Sequence, residues 1–159
     1  MTSLLPSIIA LGLAVLLALY LAVKRSPRSD DAASLTTASH TLGVAVITQS
    51  IHFTEELLTG FHERFPGIFG LEAIPLSIFV IFNIVWITIW IASIPGIQAS
   101  IRPAYFAAWF LAIAGILNGV AHPLLSLAEG AYFPGLFSSP FVAIACFLLW
   151  RRLQNATQP

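Results

Sequence analysis

Charge is what this 159-residue sequence has least of: Asp, Glu, Lys and Arg together make up 9%, against 58% hydrophobic residues. A soluble domain carries about 25% charged residues, so too little is present to wet a globular surface, and a water-soluble single domain is excluded. The 7 basic and 7 acidic residues cancel to a formal net charge of zero, and the basic ones form no extended patch. A nucleic-acid partner is therefore excluded as well. The single cysteine, Cys146, rules out an intramolecular disulfide framework and any thiolate-rich metal site. With 4 His, a histidine-rich oxygenase centre is out of reach too. Whatever chemistry the chain performs must use His, Glu, Asn and hydroxyls.

Long apolar runs are what the sequence has instead. A bilayer core of about 30 Å takes about 17–25 helical residues, and five stretches fit: 4–23, 41–60, 73–94, 103–129 and 136–150. The expected fold is all-α, a polytopic membrane bundle of five transmembrane helices. Residues 1–23 read as an N-terminal anchor, 24–40 as a polar linker, 41–152 as a four-helix membrane domain, and 153–159 as a cytoplasmic tail. Lys and Arg collect on the cytoplasmic side of membrane proteins. With five spans, Lys24, Arg25, Arg28, Arg102, Arg151 and Arg152 share one face, and only Arg64 falls on the other. The expectation is a multi-pass cell-membrane protein with its N-terminus outside and its C-terminus in the cytoplasm. Five of the seven acids, Glu55, Glu56, Glu63, Glu72 and Glu129, then lie toward the outer side. Trp86, Trp90, Trp109 and Trp150 read as packing and anchoring residues.

An ionisable side chain inside a span costs about 2.5–3.5 kcal/mol on insertion scales and so calls for a function. The second span carries three in the string HFTEE: His52, Glu55 and Glu56. At about 100° per residue, both carboxylates lie within roughly 60° of His52, so one face of this helix is polar through its outer half. The fourth span supplies a matching stripe in Asn118 and His122, continued past Pro123 by Ser126 and Glu129, so the second and fourth helices are expected to be adjacent. Gly115 and Gly119 form a G-x-x-x-G beside it, which allows close approach of a neighbouring helix. Asn83 can add an amide, while His62, Glu63 and Glu72 read as a solvated outer rim and His40 as a boundary residue.

The candidate catalytic set is therefore His52, Glu55, Glu56, Asn118, His122 and Glu129. Two imidazoles with carboxylates suit a divalent metal such as Zn or Fe, held by His52, Glu55, Glu56 and His122. H-x-x-E-E is neither the zincin H-E-x-x-H nor the Glu-x-x-His pair of di-iron bundles. The same residues could work without metal as acid and base. The bland alternative is a hydrogen-bonded network that fixes helix packing.

These residues resemble the HXXEE-domain family of integral membrane proteins. HFTEE matches the namesake motif at His52, Glu55 and Glu56, NGVAH matches N-x-x-x-H at Asn118 and His122, and AYFPG resembles the Y-x-P-G segment that follows, at Tyr132, Pro134 and Gly135. The stretch LTGFHERFPGIFGL is also similar, and the resemblance covers about residues 41–152. It implies a membrane enzyme of unassigned reaction. The expected function is an enzyme with an outward-facing intramembrane His/Glu site, acting on a lipid-like or other hydrophobic small molecule drawn from the surrounding membrane lipids. The alternatives are a protein that handles cations or protons, or a structural membrane protein with a polar packing network.

Overall fold

The computed structural model describes residues 5–159, with side chains from Ile8 onward. It is an all-α bundle of six helices: α1 (Leu5–Lys24), α2 (Ala32–Thr59), α3 (Phe61–Gly67), α4 (Leu76–Gln98), α5 (Arg102–Glu129) and α6 (Ser139–Ala156). One two-residue antiparallel pair, β1 (Ser26–Pro27) with β2 (Thr157–Gln158), joins the α1–α2 connection to the end of α6. Residues 1–4 of the expected anchor lie outside the described residues.

Helix ends follow local chemistry. Asp31 caps α2 by accepting the Ser34 N–H at 3.0 Å. This contact holds its carboxyl below the usual carboxylate value. The cap starts α2 at Ala32, so the segment 24–40 is not a linker throughout: its last nine residues are helix. Gly60 (φ +79) and Gly130 (φ +64) end α2 and α5 in left-handed conformations that a side chain would disfavour.

Helices α2, α4, α5 and α6 form a ring in which α2 packs on α4 and α6, and α5 packs on the same two, while α1 lies outside against α5. Hence α2 and α5, expected as neighbours, stand at opposite corners with sparse contact. The seam between α5 and α6 depends on the G-x-x-x-G. A Cβ at Gly115 would strike Cys146 and Val142, and one at Gly119 would strike Ala143. Among the described side chains of α1, Ala14, Ala18 and Ala22 are buried, small enough for close packing.

The interior holds Trp109, Leu111, Leu149 and Leu153, and Trp90 donates its indole N–H to the Ala107 carbonyl at 3.0 Å. Outward faces are equally apolar: Leu13 and Leu16 on α1, Ile81 and Ile84 on α4, and Phe141, Ile144 and Phe147 on α6 are all exposed. Two helices, α4 and α5, are long and apolar enough to cross a membrane. The remaining expected spans fall short of that standard for physical reasons. The described apolar part of α1 is the stretch Ile8–Lys24, α2 is diluted by its polar stripe, and α6 ends in Arg151, Arg152, Gln154 and Asn155.

The expected tail at 153–159 is folded. Leu153, Ala156 and Thr157 are buried. Arg25 reaches Thr157 with its Nε (2.8 Å to Oγ1) and Nη2 (3.0 Å to the carbonyl), and also bonds the Gln154 carbonyl at 3.1 Å.

Candidate metal centre

The two polar stripes meet across the bundle at its α3 end. His52 and Glu56, one turn apart on α2, and His122 on α5 are all buried, with His52 fully so. The Nε2 atoms of His52 and His122 each lie 3.5 Å from Glu56 Oε1. All three side chains offer donor atoms within 4.8 Å of one another. Ligand atoms around a tetrahedral ion with bonds of about 2.0–2.1 Å stand roughly 3.4 Å apart, close to the two 3.5 Å edges seen here. The imidazoles cross edge to face, with centroids 4.7 Å apart.

What the far side of each ring touches decides what the near side offers. His122 Nδ1 lies 2.6 Å from the Pro134 carbonyl, which can only accept, so that nitrogen carries the proton. Its Nε2 keeps a lone pair. His52 Nδ1 lies 2.8 Å from Ser138 Oγ, and His52 Nε2 is a buried nitrogen with no hydrogen-bond partner. An unpaired buried polar atom is costly unless something else fills the role. Both imidazoles thus turn Nε2 toward the Glu56 carboxylate, that of His52 with no hydrogen-bond partner.

Glu55, expected among the ligands, turns away. Its carboxylate accepts the Tyr132 hydroxyl (2.7 Å), the Phe137 N–H (3.1 Å), the Ser138 N–H (2.8 Å) and the Ser138 hydroxyl. Four donors use up its acceptor capacity. The 100° step between adjacent helical residues sends Glu56 into the bundle and Glu55 to the α5–α6 connection. Burial, followed by the bond to Glu55, pushes the Tyr132 hydroxyl above its ordinary value.

That connection covers the centre. Gly135 (φ +87) lies directly on both rings: a Cβ there would come within 2.6 Å of His122 Nδ1 and 2.8 Å of His52 Cε1. Phe61 and Phe133 close the flank of His122, with centroids 5.6 and 6.1 Å away. Arg64 fastens the outside, donating to the Tyr132 carbonyl at 2.8 Å and lying over the Phe133 ring at 5.5 Å. The cluster is therefore sealed, and the outward-facing site expected from the sequence is covered by this segment.

The remaining candidates lie apart from the triad. Glu129 is an exposed partner of Arg64 at 3.3 Å. Asn118, one turn from His122, is half-buried, and makes no side-chain hydrogen bond among the described residues. Asn83 donates to its own helix at the Phe79 carbonyl, 2.9 Å away. His62 contacts Glu63 at 3.5 Å and stacks on Phe79. Helical periodicity cannot reveal Ser138 or the Pro134 carbonyl, which belong to an irregular segment. The cue available was the Pro-Gly pair at 134–135, which marks a tight turn between two helices. No family model, curated protein or solved structure matches the chain.

Proposed function

We propose that this chain is a polytopic membrane enzyme of the HXXEE-domain type, with a divalent metal held by His52, Glu56 and His122. The observation that carries the reading is the convergence of two imidazole Nε2 atoms, that of His52 without any hydrogen-bond partner, on one buried carboxylate. A packing network would instead be expected to pair its buried nitrogens with hydrogen-bond partners. Three protein ligands leave a position for water or substrate, and an ion bound there acts as a Lewis acid or lowers the pKa of bound water.

In this reading α1, α2, α4, α5 and α6 all cross the bilayer, supported by their apolar outward faces. The N-terminus is outside, and the basic residues around the β1–β2 pair face the cytoplasm. The centre lies in the outer half, and a lipid-like substrate reaches it from the membrane once the α5–α6 connection moves. Asn118 points to a role in orienting substrate beside His122. Burial favours one second reading, a metal that ties α2, α5 and the covering segment together without catalysis, since structural sites are closed.

The test is metal content of the detergent-purified protein after growth with added Zn²⁺ or Fe²⁺. One equivalent in the wild type, lost in His52→Ala and Glu56→Gln, is the expected result. No stoichiometric metal in the wild type overturns the metal reading in favour of acid–base chemistry. Mass spectrometry of co-purifying lipids identifies the substrate class.

A further inference from the structure

The two adjacent carboxylates of the H-x-x-E-E string do different work, and we infer that Glu55 and Ser138 are positioning residues that fix which nitrogen of His52 faces the centre. The reasoning runs outward from His52. Its Nδ1 has one neighbour, Ser138 Oγ, at 2.8 Å. A serine hydroxyl has a single proton to give, and here it goes to Glu55 Oε2. Ser138 Oγ must then accept, so His52 Nδ1 donates and Nε2 is left bare toward Glu56. The chain Glu55–Ser138–His52 is a carboxylate–histidine orienting pair with a hydroxyl inserted, a way of fixing tautomer and ring orientation at metal ligands.

Glu55 is itself held in place. The backbone N–H groups of Phe137 and Ser138 and the Tyr132 hydroxyl supply its other bonds, so the carboxylate cannot rotate without opening the covering segment. On the opposite ring the Pro134 carbonyl has the same effect on His122 without a carboxylate. Both orienting acceptors come from residues 134–138, so the segment that seals the centre also sets its ligands. What the bare nitrogens bind rests on the metal reading above, whereas the tautomer assignment does not.

Ser138→Ala isolates the effect, because Glu55 keeps the Tyr132 hydroxyl and both backbone donors and the cover stays attached. The experiment uses the full chain in detergent micelles, labelled with ¹⁵N-histidine, with single His variants to assign signals. Two-bond ¹H–¹⁵N correlations report which nitrogen is protonated. In the wild type, His52 and His122 should both be protonated at Nδ1. In Ser138→Ala, His52 should become a mixture of tautomers with His122 unchanged, and Ser138→Thr should restore the wild-type pattern. Titration with Co²⁺ alone should show one equivalent bound in Ser138→Ala at about 10–100-fold weaker affinity, with an altered visible spectrum. Glu55→Gln should also retain the equivalent that Glu56→Gln loses. His52 protonated at Nε2 in the wild type, or an unchanged His52 pattern in Ser138→Ala, overturns the inference. Wild-type protein that shows the stated tautomers but takes up no Co²⁺ overturns the metal reading and leaves the positioning role supported.

Discussion

Replacing Gly135 by alanine tests the closure of the centre with one methyl group. Two costs combine at this position. The backbone is left-handed, φ +87, which disfavours an L side chain by roughly 1–2 kcal/mol. The new Cβ would also stand 2.6 Å from His122 Nδ1 and 2.8 Å from His52 Cε1, inside contact distance of two rings whose Nδ1 atoms are held by Pro134 and Ser138. Overpacking of this kind costs about 1–3 kcal/mol. The expected destabilisation is therefore about 2–5 kcal/mol. Gly130→Ala is the control, since its φ is +64 but no atom lies within 4 Å of its Cβ position, so it carries only the conformational cost. SDS-driven unfolding in mixed micelles, followed by the fluorescence of the 4 Trp, measures both. In a double-mutant cycle, His122→Ala should relieve much of the Gly135→Ala penalty and none of the Gly130→Ala penalty. A Gly135→Ala protein no less stable than Gly130→Ala would refute the placement of this segment on the imidazoles.

Three further outcomes are expected. Gly119→Leu should separate α5 from α6, costing about 1–3 kcal/mol or preventing recovery of folded protein, whereas Gly12→Ala, in open space on α1, should not; size-exclusion profiles in detergent distinguish them. Arg25→Ala removes three hydrogen bonds to Gln154 and Thr157, and should cost about 1–2 kcal/mol and speed carboxypeptidase digestion from residue 159. The depressed Asp31 carboxyl contributes stability that is present above its unfolded value and is lost as pH falls through its lower folded value. The acid-induced loss of helical circular dichroism of the whole chain should therefore be shallower in Asp31→Asn, which keeps a capping oxygen but does not ionise.

The helices were legible because apolar runs of membrane length and Gly or Pro punctuation both survive in the one-dimensional string. The α2 start was not, because Ser34 to His40 are mostly polar, and what makes them helical is the Asp31 cap, the burial of Leu35 and Ala38, and contacts such as Ser39 Oγ to the Ile94 carbonyl. For the site, polar residues in apolar helices picked out His52, Glu56 and His122 directly. The same logic drew in Glu55, since periodicity places both carboxylates near His52 but cannot say which one a neighbouring segment will claim. Glu129 was drawn in along a helical stripe, yet the chain turns at Gly130 and brings Arg64 to it instead. Ring order was beyond sequence: nothing in the apolar pattern distinguishes a neighbouring helix from one at the opposite corner.

That corner-to-corner placement has a mechanical meaning. Along most of their length α2 and α5 are kept apart by α4 and α6, so the His52–Glu56–His122 cluster is a brace across the diagonal of the ring rather than part of a seam. A seam resists the sliding of two neighbours; a diagonal brace resists the skewing of the whole cross-section. Changes at residue 52 should thus be felt first at residue 122, on a helix it scarcely packs against, and the effects of substitution at the two positions should be coupled rather than additive.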